Sequence, residues 1–234
     1  MVAIVRQPTV PTCRVRVRDL RVGCVPDLPV QRLLSFLGAL YACDQGLDVE
    51  TVHLDSSELL RRLRIGQLDL CLTPCARDRR EIELEPLFPG ELLAAFLPAG
   101  HRLGDRPILA PGDLEDEILL IAPPAGDPAF HDQLMALLHG AGYRFRGVRE
   151  TGGGHRRDVL LAVAEGRGIT LGQASALQTV GELGTLVTRH LLEPPQRMPD
   201  TAVAWLARPT SRVSPVLACI REVARDLYCS TAAP

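Results

Sequence analysis

Three side chains on predicted loops could take part in catalysis. Asp27 and His155 could form a general acid–base pair, and Cys75 could act as a nucleophile if a base lay beside it. Asp27 is equally well explained as the N-cap of a helix, and both roles can hold together. Cys71 precedes Cys75 in a C-x3-C pair, but no second pair of comparable spacing follows, so we expect no metal site. Cys71 also alternates with leucines, which is typical of a packed thiol.

A second group of residues could bind a small molecule, because ligands of parallel α/β sheets lie beyond the carboxyl ends of the strands, where helices begin. This rule selects five loops, and their candidate ligand-binding residues are Pro26, Asp27, Ser56, Ser57, Thr73, Pro74, Pro124, Ala125, Gly126, Gly153, Gly154, His155 and Arg156. A carboxylate at Asp27 would disfavour an anionic ligand and favour an amine, a hydroxyl or a proton-transfer role.

The glycine run at 152–154 would let the backbone approach a ligand closely. His155 and Arg156 would then supply hydrogen-bond donors at the start of a helix, a suitable place for a carboxylate or oxyanion. Three adjacent glycines are also typical of a flexible loop. They lack the dinucleotide fingerprint, so no cofactor is expected.

Strands and helices alternate in the way needed to position these loops. Apolar periodicity predicts strands at 20–25, 49–54 and 68–73, with helices at 30–43 and 59–65 between them. Further strands are predicted at 82–88, 91–97, 118–122, 145–151, 168–172, 186–191 and 202–207, with helices at 130–138, 157–165 and 213–228. This order indicates two α/β units with doubly wound sheets.

The composition excludes several classes of protein. All 26 basic residues are arginine, so pyridoxal phosphate enzymes, lysine aldolases and P-loop proteins are excluded. A net charge of -2 argues against a broad nucleic-acid surface. No apolar run is long enough for a membrane span. Seven cysteines are too few for a disulfide scaffold, and we expect reduced thiols and a cytoplasmic location.

Several phrases along the chain together resemble the effector-binding (substrate-binding) domain of LysR-type transcriptional regulators. They are LRVG at 20–23, LLRRLRIGQLDLCL at 59–72, ELEPLF at 83–88, LPAGHRL at 97–103, DL at 113–114 and VAEGRGITL at 163–171, followed by the C-terminal helix. Each phrase is weak alone, but their order and spacing are specific, and the likeness covers residues 19–228.

The resemblance implies the periplasmic-binding-protein-like type 2 fold. In this fold two doubly wound α/β lobes lie around a central cleft and are joined by hinge strands. We expect an N-terminal arm at 1–18, a first lobe at 19–95 plus 201–229, a second lobe at 96–200 and a tail at 230–234. Family members also carry a winged helix-turn-helix, for which 18 residues leave no room, so we expect no direct DNA binding by this chain alone. The chain is either a fragment of a regulator or a stand-alone protein.

Two functions remain open at this point. The first is a module that binds a small-molecule ligand in the cleft and pairs as a homodimer through the helices near 33–41 and 130–138. The alternative is an enzyme that recruited the same cleft for metal-free acid–base or cyclisation chemistry in a biosynthetic pathway, with Asp27 and His155 facing each other.

Overall fold

The structure is a computed structural model that describes residues 18–26, 28–74, 81–123, 128–152, 156–179 and 184–232. Its strands are β1 (Arg18–Cys24), β2 (Leu47–His53), β3 (Leu70–Pro74), β4 (Ile82–Phe88), β5 (Leu93–Pro98), β6 (Ile108–Leu109), β7 (Ile118–Ile121), β8 (Gly147–Glu150), β9 (Thr170–Gln173), β10 (Val187–Leu192) and β11 (Thr201–Leu206). Its helices are α1 (Val30–Cys43), α2 (Ser56–Arg64), α3 (Pro128–Gly140), α4 (Arg156–Ala164) and α5 (Leu217–Ala232). Short 3-10 helices span Pro111–Leu114, Ala176–Thr179 and Ser214–Val216.

The first sheet has five strands in the order β2-β1-β3-β11-β4. β1 pairs in parallel with both β2 and β3, as the alternation of strands and helices predicts. β11 lies antiparallel between β3 and β4, because the chain returns to this sheet from the opposite direction. The sheet is therefore mixed rather than wholly parallel.

Helices cover both faces of the first sheet, which follows from the period-two burial of its strands. Leu20, Val22 and Cys24 of β1 pack on one face against α1 and α5. Cys71 of β3 packs on the other face against Leu59 and Leu63 of α2. The residue before α2, Asp55, is its N-cap: the Asp55 side chain accepts a hydrogen bond from the amide of Glu58 at 2.8 Å.

The second sheet has the order β6-β10-β5-β9, and a parallel pair, β7-β8, continues it through a bridge between Leu119 and Ile169. The alternating residues of β5 separate its two faces: Leu93, Ala95 and Leu97 pack toward α3, and Phe96 packs toward α4. Helices thus cover both faces of the second sheet as well, although its strands β10, β5 and β9 pair antiparallel. The predicted fold class, two α/β lobes joined by hinge strands, is confirmed.

Two segments connect the sheets, residues 89–92 between β4 and β5 and residues 193–200 between β10 and β11. They touch backbone to backbone at Gly90, where a Cβ atom would lie 1.7 Å from the carbonyl oxygen of Met198. Only glycine fits this approach. The boundaries of the arm, lobes and tail stay a prediction.

The cysteines differ from the expectation of reduced thiols. Cys43, the last residue of α1, and Cys219 in α5 are joined by a disulfide with their Cα atoms 6.3 Å apart. Cys24 and Cys71 are buried free thiols, and burial raises their pKa to about 11 and about 12 respectively. Both therefore stay protonated at neutral pH, so Cys71 is a packed thiol as predicted. Within the described residues, no helix is both long and apolar enough to cross a membrane.

Candidate ligand-binding site

A cavity of about 460 Å³ lies between the two sheets. The first sheet lines it with residues at the carboxyl ends of its parallel strands, where His53 ends β2, Asp55 comes two residues later and Pro74 ends β3. The second sheet lines it with residues that follow β7, with β9, and with the facing sides of α3 and α4. The position agrees with the rule that ligands bind beyond strand ends.

The wall of the cavity is mainly apolar. Its apolar residues are Val25, Pro26, Leu28, Leu54, Pro74, Phe96, Ile121, Ala122, Pro123, Leu134, Val159, Leu160, Leu171, Ala176, Met198 and Pro199. Its polar residues are His53, Asp55, His131, Thr170, Arg156, Gln173 and Thr201. Such a wall suits a molecule with an apolar body and few polar groups.

Arg156 brings a guanidinium group to this apolar wall. It is the first residue of α4 and is half-buried. Its two terminal nitrogens each donate to the side-chain oxygen of Gln173, in β9, at 3.3 Å. Gln173 thereby helps to orient a fork of donors that matches a carboxylate group.

Two threonines on the wall differ in their hydrogen bonds. The hydroxyl of Thr170 donates to the carbonyl oxygen of Leu120 at 2.8 Å, so its donor capacity is used within the fold. Thr201, the first residue of β11, is 7% exposed, and its hydroxyl makes no hydrogen bond with the described residues. Because Thr201 also lines the cavity, its hydroxyl can form a hydrogen bond with a ligand there.

The predicted site residues fall into three groups. Pro26, Pro74 and Arg156 line the cavity. Three candidates do not line the cavity: Ser56, Ser57 and Thr73. The hydroxyl of Thr73 donates to that of Ser56 at 3.3 Å, and the hydroxyl of Ser57 donates to the carboxylate of Asp55 at 2.6 Å. The remaining candidates, Asp27, Cys75, Pro124, Ala125, Gly126, Gly153, Gly154 and His155, lie outside the described residues. Their ligand-binding or catalytic roles stay predictions.

Several wall residues were not among the sequence candidates. His53 lies near the carboxyl end of the strand predicted at 49–54, so the strand-end rule could have selected it. His131 lies in the first turn of α3, and its position next to a loop was a weaker signal. Phe96 lies in β5, Met198 in the second connecting segment and Thr201 at the start of β11. No local sequence pattern marks these three residues. Within the described part of the chain, no cluster of three or more histidine, cysteine or acidic side chains could hold a metal ion.

Several solved structures have the same fold. The reduced form of the OxyR regulatory domain from Pseudomonas aeruginosa is 19% identical, with a TM-score of 0.73 over 94% of this chain and 100% of that chain. The BenM effector-binding domain with its effector benzoate is 20% identical, with a TM-score of 0.72 over 92% of this chain and 95% of that chain. The QuiR effector-binding domain in complex with shikimate is 11% identical, with a TM-score of 0.71 over 90% and 98%.

The family itself is shown by sequence. Residues 15–227 match the model of the LysR substrate binding domain, so the chain belongs to this family. No curated protein matches the chain. The predicted resemblance and the predicted general function, binding of a small molecule in the cleft between two lobes, are confirmed.

Proposed function

We propose that the cavity binds one small organic molecule with an apolar body and a single acidic group, and that Arg156 binds this group. The observation that carries the proposal is a guanidinium at the start of a helix on a mainly apolar wall. A volume of about 460 Å³ lies within the usual range of ligand pockets, roughly 300 to 1,000 Å³. Bidentate pairing with a carboxylate would add both affinity and orientation.

Two similar structures support this ligand class. The BenM domain is described with benzoate and the QuiR domain with shikimate, and both molecules are carboxylates. Thr201 would supply a second polar contact from the opposite sheet, so the ligand would touch both sheets at once. The ligand acts as the effector of a transcription regulator, and the acidic net charge of -2 supports a role for these residues in binding the effector rather than DNA.

A matched pair of probes tests the charge preference. Naphthoate and naphthylmethylamine share an apolar body and differ in the sign of their charge. Isothermal titration should show binding of naphthoate and a much weaker response to the amine. The reverse preference would support the prediction that a carboxylate at Asp27 selects a cationic ligand. It would overturn the proposal, as would binding of neither probe.

Matched variants test the role of Arg156. Arg156→Gln should weaken naphthoate binding by about tenfold or more, because a charge-assisted hydrogen bond is lost. Arg157→Gln is the control, since Arg157 is the next residue of α4 and is exposed. Equal losses in both variants would show that only the general positive charge of the helix matters and would exclude Arg156 as the binding group.

We also propose a homodimer, with α1 as part of the interface. Val30, Leu34 and Tyr41 lie along one side of α1 and are 56%, 61% and 39% exposed. Their spacing of four and seven residues places them on one helical face. The second predicted helix, residues 130–138, is less clearly a surface for pairing, because Leu134 and Leu138 point into the core.

Sedimentation velocity tests this interface. Leu34→Arg should convert the dimer to a monomer, because a charge would be buried at the interface. Ile65→Arg is the control, since Ile65 is a similarly exposed apolar residue that follows α2. A wild-type protein that remains monomeric at high concentration would contradict the proposal.

The cytoplasmic location remains a proposal, supported by the family of transcription regulators. The Cys43–Cys219 disulfide makes it testable through the state of the thiols. Alkylation in intact cells followed by mass spectrometry should find both cysteines modified if the location is cytoplasmic. The enzyme alternative rests on Asp27 and His155, and nothing in the described residues or the comparisons supports it.

A further inference from the structure

Glu91 contacts three other parts of the chain. It belongs to the first segment that connects the two sheets. One carboxylate oxygen is 3.5 Å from the guanidinium of Arg32 in α1, and the other accepts a hydrogen bond from the amide of Ser175 at 3.2 Å. Its backbone carbonyl accepts the amide of Met198, in the second connecting segment, at 2.8 Å.

Two of these partners belong to the cavity wall or are next to it in the chain. Ser175 lies between the wall residues Gln173 and Ala176, and Met198 lines the cavity itself. The third partner, Arg32, belongs to α1, which packs on the first sheet. A single carboxylate therefore connects the wall provided by the second sheet with the helix packed on the first sheet.

The contact with Arg32 is well held. The side chains of Arg32 and Glu91 are 19% and 14% exposed, so the pair is shielded from solvent and screened less by salt than a surface pair. The guanidinium of Arg32 also lies over the ring of Phe88, at 5.2 Å from its centre. The Arg32 guanidinium is thus in contact with both Glu91 and Phe88. A shift of the Glu91 carboxylate must therefore change the electrostatic environment of Arg32.

The segment around Ser175 is bonded through its backbone amides, but one of its side chains has no hydrogen-bond partner among the described residues. The amide of Ala174 donates to the carbonyl oxygen of Leu92 at 2.9 Å, and the amide of Ser175 donates to Glu91. The hydroxyl of Ser175 is buried without a hydrogen-bond partner. A buried hydroxyl of this kind disfavours the present arrangement of the segment relative to one in which the hydroxyl is bonded.

We propose that Glu91 is a positioning residue of the ligand site, and that it transmits occupancy of the cavity to α1 through Arg32. A ligand that contacts Gln173 or Ala176 displaces residues 173–176, moves the Glu91 carboxylate and changes its contact with Arg32. Arg32 is two residues from both Val30 and Leu34, so its side chain lies on the opposite side of α1 from the face proposed for dimerisation, and the effect reaches that face through displacement of the whole helix. This coupling rests on the proposed function for its ligand-bound state.

Hydrogen exchange of the ligand-free protein tests the link without any ligand. Arg32→Gln should raise exchange at the Ser175 amide at least threefold, although Arg32 and Ser175 belong to different halves of the structure. Glu91→Ala should raise exchange both there and across α1. Arg61→Gln, which breaks a surface pair with Glu58 in α2, should change neither region. An Arg32→Gln effect confined to α1 would overturn the link.

A second measurement uses naphthoate as the probe. Its addition to the wild type should change exchange in α1, and this change should be absent in Arg32→Gln and Glu91→Ala while it persists in Arg61→Gln. A persistent α1 response in Arg32→Gln would contradict transmission through this pair. If naphthoate does not bind the wild type, the proposed ligand class fails, and the exchange of the ligand-free variants still decides whether the link exists.

Discussion

The carboxylate of Asp69 is completely buried, and its two oxygens lie 3.0 and 3.1 Å from nitrogens of the Arg21 guanidinium. The backbone amide of Arg21 donates to the same carboxylate at 2.9 Å. Since Arg21 belongs to β1 and Asp69 directly precedes β3, these hydrogen bonds hold the turn before β3 against β1. Burial opposes ionisation of Asp69, but the side-chain and backbone hydrogen bonds from Arg21 outweigh it, and the pKa falls below its ordinary value of 3.8.

Asp69→Asn should therefore destabilise the fold. At neutral pH we expect a loss of about 2 to 3 kcal/mol, because a buried charge-assisted network is broken. Because the pKa of Asp69 is lowered in the folded state, its ionised carboxylate stabilises the fold fully above the ordinary pKa of 3.8. This stabilisation is lost as the pH falls from 3.8 through the lower pKa of the folded state. Urea unfolding should show the gap between wild type and variant narrowing below about pH 4. The exposed Asp105→Asn variant is the control and should leave the stability at neutral pH nearly unchanged.

Two glycine substitutions should have opposite effects on stability. Gly90→Ala places a methyl group against the backbone of Met198 and should cost about 2 kcal/mol or more. Gly38→Ala lies in an exposed position within α1 with no atom close by, and it should add up to about 1 kcal/mol through helix propensity. Urea unfolding midpoints measure both changes. A neutral Gly90→Ala variant would show that the connecting segments are not tightly packed.

The Cys43–Cys219 link should stabilise the oxidised protein. It closes a loop of 176 residues, and cross-links of this kind contribute about 2 to 4 kcal/mol. Reduction with dithiothreitol, or Cys43→Ser, should lower the free energy of unfolding by this amount. Cys229→Ser removes an exposed free thiol and should leave stability unchanged. Equal stability of oxidised and reduced protein would contradict the prediction.

Thr170→Val and Thr201→Val should separate stability from ligand binding. The first substitution removes the hydrogen bond to Leu120 and should cost about 1 kcal/mol of stability. The second removes a hydroxyl without a bonded partner among the described residues. It should leave stability nearly unchanged but weaken binding of a naphthoate that carries one hydroxyl group by about fivefold or more. Loss of stability in Thr201→Val with unaltered binding would refute its assignment to the ligand.

Local elements were largely predictable. The helix at 30–43 and the strand at 82–88 match α1 and β4 to the residue, because their apolar spacing and flanking prolines or turns are unambiguous. The local signal for the Asp55 N-cap is an aspartate placed three residues before Glu58, an acidic residue in the first turn of α2. The final helix was less well placed: its predicted start at 213 falls in a turn and a short 3-10 helix, and α5 begins at Leu217.

The site was only partly predictable. Pro26, Pro74 and Arg156 were selected because strand ends can be recognised from the chain itself. Phe96 and Thr201 were missed, because their places depend on how β5 and β11 pair with strands that are distant in sequence. The pairing of Cys43 with Cys219 has the same cause, since packing of α1 beside α5 brings together residues 176 positions apart.

By itself the sequence determined the family, the alternation of strands and helices, the arginine-only basic chemistry and the strand ends at which a ligand could bind. These features follow from local periodicity and residue type. The tertiary structure decided which side chains share the cavity, that Gln173 orients Arg156, and that Glu91 joins α1 to the cavity wall. These contacts depend on long-range strand register and on the crossing of the two connecting segments, which no local pattern encodes.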